Sequence, residues 1–308
     1  MDNNVLKYFK NISGSLFVFA GALLISFSSI FVASVNLEPT VSAFYRVFIG
    51  CITLCFYYFL KERKSPFRRN ISSYLYIAAV IFVLDLWFWH RSIIYIGPGL
   101  STLLASLQVL IIPFLSYLIF KEVINRQQIL AVVIAVIGLF ICLSDSWQLA
   151  GSQYKLGIFF GLLTALAYSG YTISLKKASV HQKQLTNPIH NLLIISLLAS
   201  ILLAFIILLE GSSFNINSRS DFLWMLCYGV ISHVFGWFFI LKGMQKISAI
   251  SVGVILIAQP ILSFIWDVLF FSRKISIVEI TGICIVIAAL FICAKTESVN
   301  QNNTIKQS

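Results

Sequence analysis

The chain has 308 residues, of which 59% are hydrophobic and only 11% charged, and it carries a net charge of +11. That is more apolar surface than a soluble core of this length can bury, so the composition excludes a soluble globular fold and points to a membrane protein. A basic balance of this size in a soluble chain would suggest nucleic acid; here the placement of the charges argues against that partner.

A spanning helix needs about 20 mostly apolar residues. Ten such runs follow one another with short polar breaks: 13–35, 40–60, 72–95, 99–120, 127–144, 156–176, 189–209, 221–242, 248–271 and 277–294. The expected fold is therefore all-α, with ten transmembrane helices. The first run follows Lys7 and Lys10 as a signal peptide would, but at 23 residues and without a clear cleavage site it reads as the first span. Placing the N-terminus in the cytoplasm puts 16 of the 22 Lys and Arg on that side, the Lys61 to Arg69 cluster foremost, so both termini are expected to be cytoplasmic. The six cysteines lie inside apolar runs with no CxxC pair and read as small buried hydrophobes, neither disulfides nor metal ligands.

Taken in order, the first span carries Ser26 and Ser29 on one face, either packing helices or lining a path. The second bears Arg46 about two turns in, either snorkelling to the interface or facing a cavity. In the third, Asp85 and Trp89 share a face, whereas His90 lies about 140° from Asp85 and cannot pair with it within the helix. The fourth opens on Gly97, Pro98 and Gly99 and contains Gln108 and the helix-loosening Pro113. LysGlu at 121–122 begins a cytoplasmic turn, and the polar loop from Asp145 to Lys155 divides the chain. The sixth span sets Thr164, Tyr168, Tyr171 and Thr172 along one face, and the eighth sets His233 and Trp237 four apart. In the ninth, Asp267 stands near Arg273 and Lys274, either as an interfacial ion pair or in a polar cavity. The tail from 295 to 308 is polar and expected to be disordered.

A gapless shift of 151 residues lays Gln108 on Gln259, Phe120 on Phe271 and the run LFIC at 139–142 on LFIC at 290–293. Two halves of five spans each must cross the membrane in opposite senses. The domains expected are thus two inverted five-helix repeats, 13–144 and 156–294, an architecture many secondary transporters use.

The chain resembles the drug/metabolite transporter superfamily, specifically the EamA-like ten-span permeases, over roughly residues 13–294. The residues that carry this are SSIFVA at 28–33, FYR at 44–46, DLWFWHRSI at 85–93, FKE at 120–122, QP at 259–260 and WD at 266–267. The resemblance implies a bacterial inner-membrane protein with a central cavity lined by spans 1, 3, 4, 6, 8 and 9, exporting or exchanging small metabolites such as amino acids. It departs at SRK, 272–274, where the family pattern has GlyGlu.

The expected activity is secondary transport, with alternating access to a midplane site. Gln108, Gln259, Tyr168 and Tyr171 would hydrogen-bond the substrate, Trp89 and Trp237 would offer flat faces, and His90 and His233 would complete the lining. Asp85 and Asp267 are the candidates to carry a coupling proton. An enzyme is not expected: the chain has no HExxH, no GxSxG and no pair of acids at i, i+3 or i+4 within a span. A channel is the other reading weighed against, since no short half-span offers a filter. Neither metal nor cofactor is implied. The expected partners are a small-molecule substrate, protons and the lipid bilayer, and a homodimer is compatible with this reading.

Overall fold

The computed structural model describes residues 3–61, 72–121, 124–147, 151–181, 188–244 and 255–307, and every element among them is helical. The basic loop after Lys61, the turn at Glu122, the centre of the loop from Asp145 to Lys155 and the 248–254 start of the ninth run lie outside the described residues. Eight described helices are long and apolar enough to cross a membrane: 14–33, 39–60, 73–96, 98–120, 126–144, 152–175, 189–210 and 219–243. The ninth and tenth expected runs are represented by two shorter apolar helices, Ala258–Phe271 and Ile277–Ile292. The last helix extends through Gln307, past Lys295, where the sequence led us to expect a disordered tail. Large apolar side chains such as Phe56, Phe59, Phe140 and Leu208 stand exposed on the outside of the bundle. Only a hydrocarbon surrounding makes that arrangement favourable, and the chain is a multi-pass membrane protein.

Several helices are interrupted. The first breaks at Phe27, between Asn3–Ser26 and Ser28–Ala33; the fourth breaks at Leu107, between Pro98–Ser106 and Gln108–Phe120; and a turn at Ile257 precedes Ala258–Phe271. The three residues have ψ of −13°, −11° and −20°, flatter than an α-helix and typical of a 3₁₀ turn. At the second break Leu107 donates to Leu104 O at 3.0 Å and Leu110 to Leu107 O at 2.9 Å, the i→i+3 pattern. The eighth span contains a π-helical segment, Tyr228–Gly236, between Arg219–Cys227 and Trp237–Met244. The turn between the third and fourth spans needs Gly97, whose φ is +84°, and Pro98 then starts the next helix with its ring already at a helical φ.

Neighbouring helices mostly join the first half of the sequence to the second. Ser73–Ile96 packs along Ser152–His181, Pro39–Lys61 along Pro188–Glu210, Asn3–Ser26 along Trp237–Met244, and Pro98–Ser106 along Ala258–Phe271. Lipid gives helices no hydrophobic reason to associate, so close contact and hydrogen bonds do the work. Ser232 Oγ donates to Leu24 O at 2.7 Å and Ser92 Oγ to Gly157 O at 2.8 Å. Ser29 and Ser263 hydroxyls meet at 2.5 Å, Ser263 also donates to Ser26 O at 3.1 Å, and Trp266 Nε1 donates to Ser26 Oγ at 2.9 Å. Ser26 and Ser29 are thus packing residues.

Arg126–Trp147 and Ile277–Gln307 form a pair at one side of the bundle. Their closest approach needs Gly282, because a Cβ there would meet the Cys142 backbone and come within 2.6 Å of Gly138 O. Overpacking of this kind costs about 1–3 kcal/mol or more. Gly282→Leu is therefore expected to lower the unfolding temperature in detergent clearly, while Ile277→Leu, at an 83% exposed position, leaves it unchanged.

Candidate functional site

Arg46, two turns into the helix Pro39–Lys61, is only 7% exposed and lies at the centre of the polar groups. Its Nη1 donates to Tyr228 Oη at 3.0 Å, and the guanidinium lies over the rings of Tyr228 and Trp89, 5.0 and 5.8 Å from their centroids. Cation–π contacts of this kind are worth about 2 kcal/mol when desolvated. The Tyr228 hydroxyl is 3.3 Å from His90 Nε2, and His90 Nδ1 is 2.7 Å from Leu86 O. A carbonyl can only accept, so Nδ1 carries the proton, Nε2 of the neutral ring accepts from Tyr228, and Tyr228 accepts from Arg46. The donors form one relay from Arg46 through Tyr228 and His90 to the Leu86 carbonyl.

Tyr228 and His233 owe their common orientation to the π-helical segment. Residues five apart on an α-helix diverge by about 140°. With i→i+5 bonding they come round toward one side. His233, fully buried, has its Nε2 2.8 Å from Ser196 Oγ, whose own hydroxyl donates to Leu192 O at 2.7 Å. Nε2 is then the donor, and Nδ1 is a buried acceptor without a partner. Phe82 bridges this ring to Tyr171, with centroids 6.4 Å from His233 and 4.9 Å from Tyr171, and Tyr171 stands 5.8 Å from Tyr168.

Asp85 is 7% exposed and within electrostatic range of Arg46, Tyr168, Tyr171 and Tyr228. Its carboxylate makes no hydrogen bond or ion pair with any described residue, and its oxygens retain a little accessible surface. Gln108, the first residue after the break at Leu107, lies beside Tyr168 with its Oε1 buried and unpartnered. Arg46 Nε is likewise buried without a partner.

Seven of the residues singled out from the sequence therefore gather around Arg46: Asp85, Trp89, His90, Gln108, Tyr168, Tyr171 and His233. Three do not. Trp237 follows the π-helical segment, whose altered register breaks the expected four-residue alignment with His233, and it packs instead against the cluster of Cys51, Leu54, Tyr58 and Leu193. Gln259, half-buried just after the turn at Ile257, touches none of these groups through a hydrogen bond. Asp267 is committed elsewhere: its Oδ2 accepts from the Gly99 amide at 3.0 Å and pairs with Arg273 Nη1 at 3.1 Å, and Arg273 Nη2 reaches Glu279 at 2.5 Å. This brace seats a carboxylate at the N-terminus of Pro98–Ser106, where the helix dipole favours it. A second brace stands at the same end of the bundle, where Arg91 reaches Glu210 at 2.8 Å and Thr40 Oγ1 at 3.1 Å while lying 3.6 Å over Trp87. Tyr228 is the member of the site that the sequence did not reveal. The available signal was Arg46 itself, since a guanidinium in hydrocarbon needs a partner from another helix.

A helical bundle with a charged, aromatic-walled centre and interrupted helices around it defines a membrane transporter. The chain belongs to the EamA-like transporter family, whose pattern matches residues 12–144 and again residues 155–294. Among similar proteins is an uncharacterized transporter of Clostridium kluyveri (strain ATCC 8527 / DSM 555 / NBRC 12016 / NCIMB 10680 / K1), 23% identical over 235 residues and covering 74% of each chain. A protein of known crystal structure shares the fold, with a TM-score of 0.66 at 16% identity over 94% of this chain and 99% of that one.

The Asp267 brace makes a direct prediction, because removing one partner of a buried pair costs about 3–5 kcal/mol while removing both costs far less. Arg273→Gln should lower the unfolding temperature more than the double change Asp267→Asn with Arg273→Gln does, as read by thermal unfolding in detergent.

Proposed function

We propose that the protein is a secondary carrier of small polar metabolites that works by alternating access, with the chain organised as two inverted five-helix repeats, 13–144 and 156–294. The observation that carries this reading is a correspondence in how the helices pair. Exchanging the first five apolar segments with the last five maps the third–sixth contact onto the eighth–first, the third–seventh onto the eighth–second, and the fourth–sixth onto the ninth–first. The second–seventh, fourth–ninth and fifth–tenth contacts map onto themselves. The shift that aligns Gln108 with Gln259 also lays Lys121 on Ser272, the two described non-glycine residues with positive φ, at 59° and 50°. Their helix breaks at Leu107 and Ile257 fall one residue from the same register. Such symmetry supports two related bundles that can rock about a shared centre.

In this reading the protein resides in the bacterial inner membrane with both termini in the cytoplasm, as the charge bias favours. The end braced by Arg91–Glu210 and Asp267–Arg273 is then the outer mouth, held shut, and Asp267 serves closure. Asp85 carries the coupling proton, because it is the buried carboxylate without a partner and stands beside Arg46 at the centre. Proton and substrate exchange there, one leaving as the other binds.

Reconstituted protein should support saturable counterflow of its substrate, with net flux accelerated by a pH gradient. Asp85→Asn should abolish the pH-gradient dependence while leaving counterflow measurable. Flux that does not saturate, or gradient-driven flux unchanged in Asp85→Asn, would contradict this reading.

A further inference from the structure

We infer that the substrate of this site is a small zwitterion, its carboxylate received by Arg46 and its ammonium by Asp85, so that Arg46 is a substrate-binding residue of this transporter. The inference rests on the carrier reading for its setting and on a different observation for its content, namely two opposite charges buried in one chamber that do not meet.

Taking a guanidinium and a carboxylate out of water is costly by several kcal/mol each, and contact between them is what normally offsets the loss. Here both are 7% exposed and no ion pair joins them. The protein shows elsewhere that it closes such pairs when it needs them for structure, at 2.8 Å for Arg91 with Glu210 and 3.1 Å for Arg273 with Asp267. At the centre it holds them apart. The Arg46 side chain is fixed by the hydroxyl of Tyr228 on Nη1 and by the rings of Trp89 and Tyr228, while its Nε has no partner. Tyr228 is in turn fixed by His90, so the guanidinium is held in place. A planar fork with free donors is the group that recognises a carboxylate.

Asp85 offers the complement. Its oxygens bond no described residue and face the phenols of Tyr168 and Tyr171. An ammonium group, with three donors and no acceptor, satisfies a bare carboxylate; a neutral or anionic group does not. The unpartnered Oε1 of Gln108, near the same phenols, is a further acceptor for it. A ligand bearing a single charge would leave one of the two protein charges buried and unpaired, so the site selects for both charges on one molecule.

The test uses the full chain in detergent and three sets of probes: the free α-amino acids, their N-acetyl derivatives, which are anions only, and their amides, which are cations only. A ligand that binds the folded protein raises its melting temperature. The wild type should be stabilised by one or more free amino acids and at least tenfold more weakly by the matching N-acetyl acids and amides. Arg46→Gln should reverse the ranking in favour of the amide, and Asp85→Asn in favour of the N-acetyl acid, whereas Arg46→Lys should keep the preference for the zwitterion. The wild-type ranking needs no variant to fold, so it stands as a test alone. Equal stabilisation by all three forms, preference for a singly charged form, stabilisation by none of the amino acids, or variants that keep the wild-type ranking would each overturn the assignment. Counterflow of the selected amino acid in vesicles separates the two readings: binding with the zwitterion ranking but no counterflow would refute the carrier and leave this site intact.

Discussion

Everything at the centre of this protein follows from the cost of placing charge where neither water nor counter-ion is at hand. Arg46 meets that cost in part, through Tyr228 and two aromatic faces, while Asp85 meets almost none of it within the protein. A fold that kept this arrangement for stability alone would do better with apolar residues of the same size. The imbalance is therefore best understood as an empty half of an interaction. The features around it serve to hold the charges apart: the relay to His90, the π-helical segment that turns Tyr228 and His233 to one side, and the break that opens the helix at Gln108.

The polar groups of the bundle fall into two populations with different work. One braces an end, where Asp267, Arg273, Glu279, Arg91 and Glu210 form short contacts between segments distant in sequence. The other lines the centre and leaves donors and acceptors open. Hydroxyl groups such as Ser26, Ser29, Ser263 and Ser232 belong to neither and act as helix-to-helix fasteners. A carrier needs rigid bundles, a mouth that can be held closed and a binding centre whose partners come from outside, and these three sets of contacts correspond to those needs.

Much of this was legible in the sequence because hydrocarbon makes polar residues conspicuous. Asp85, Trp89, His90, Gln108, Tyr168, Tyr171 and His233 stood out as costly groups in apolar runs, and they do converge. What failed was whatever depended on helical phase or on pairing across the chain. Trp237 was aligned with His233 by α-helical spacing that the π-helical segment from Tyr228 to Gly236 breaks. Arg46 stayed undecided between interface and cavity because its partner Tyr228 is 182 residues away. Asp267 and Arg273, six residues apart, could be anchor or cavity groups by spacing alone; the Gly99 amide, which only the fold brings near, makes them a brace.

The central claim is that Arg46 and Asp85 face a hollow that opens by turns to either side of the membrane. The most direct measurement is the labelling of Tyr168→Cys, in a chain whose six native cysteines are replaced, by a charged membrane-impermeant thiol reagent added to one side or the other of sealed vesicles. The account predicts labelling from each side, with saturating substrate protecting the thiol from both. A thiol that reacts from neither side, or from one side only under every condition, would contradict it.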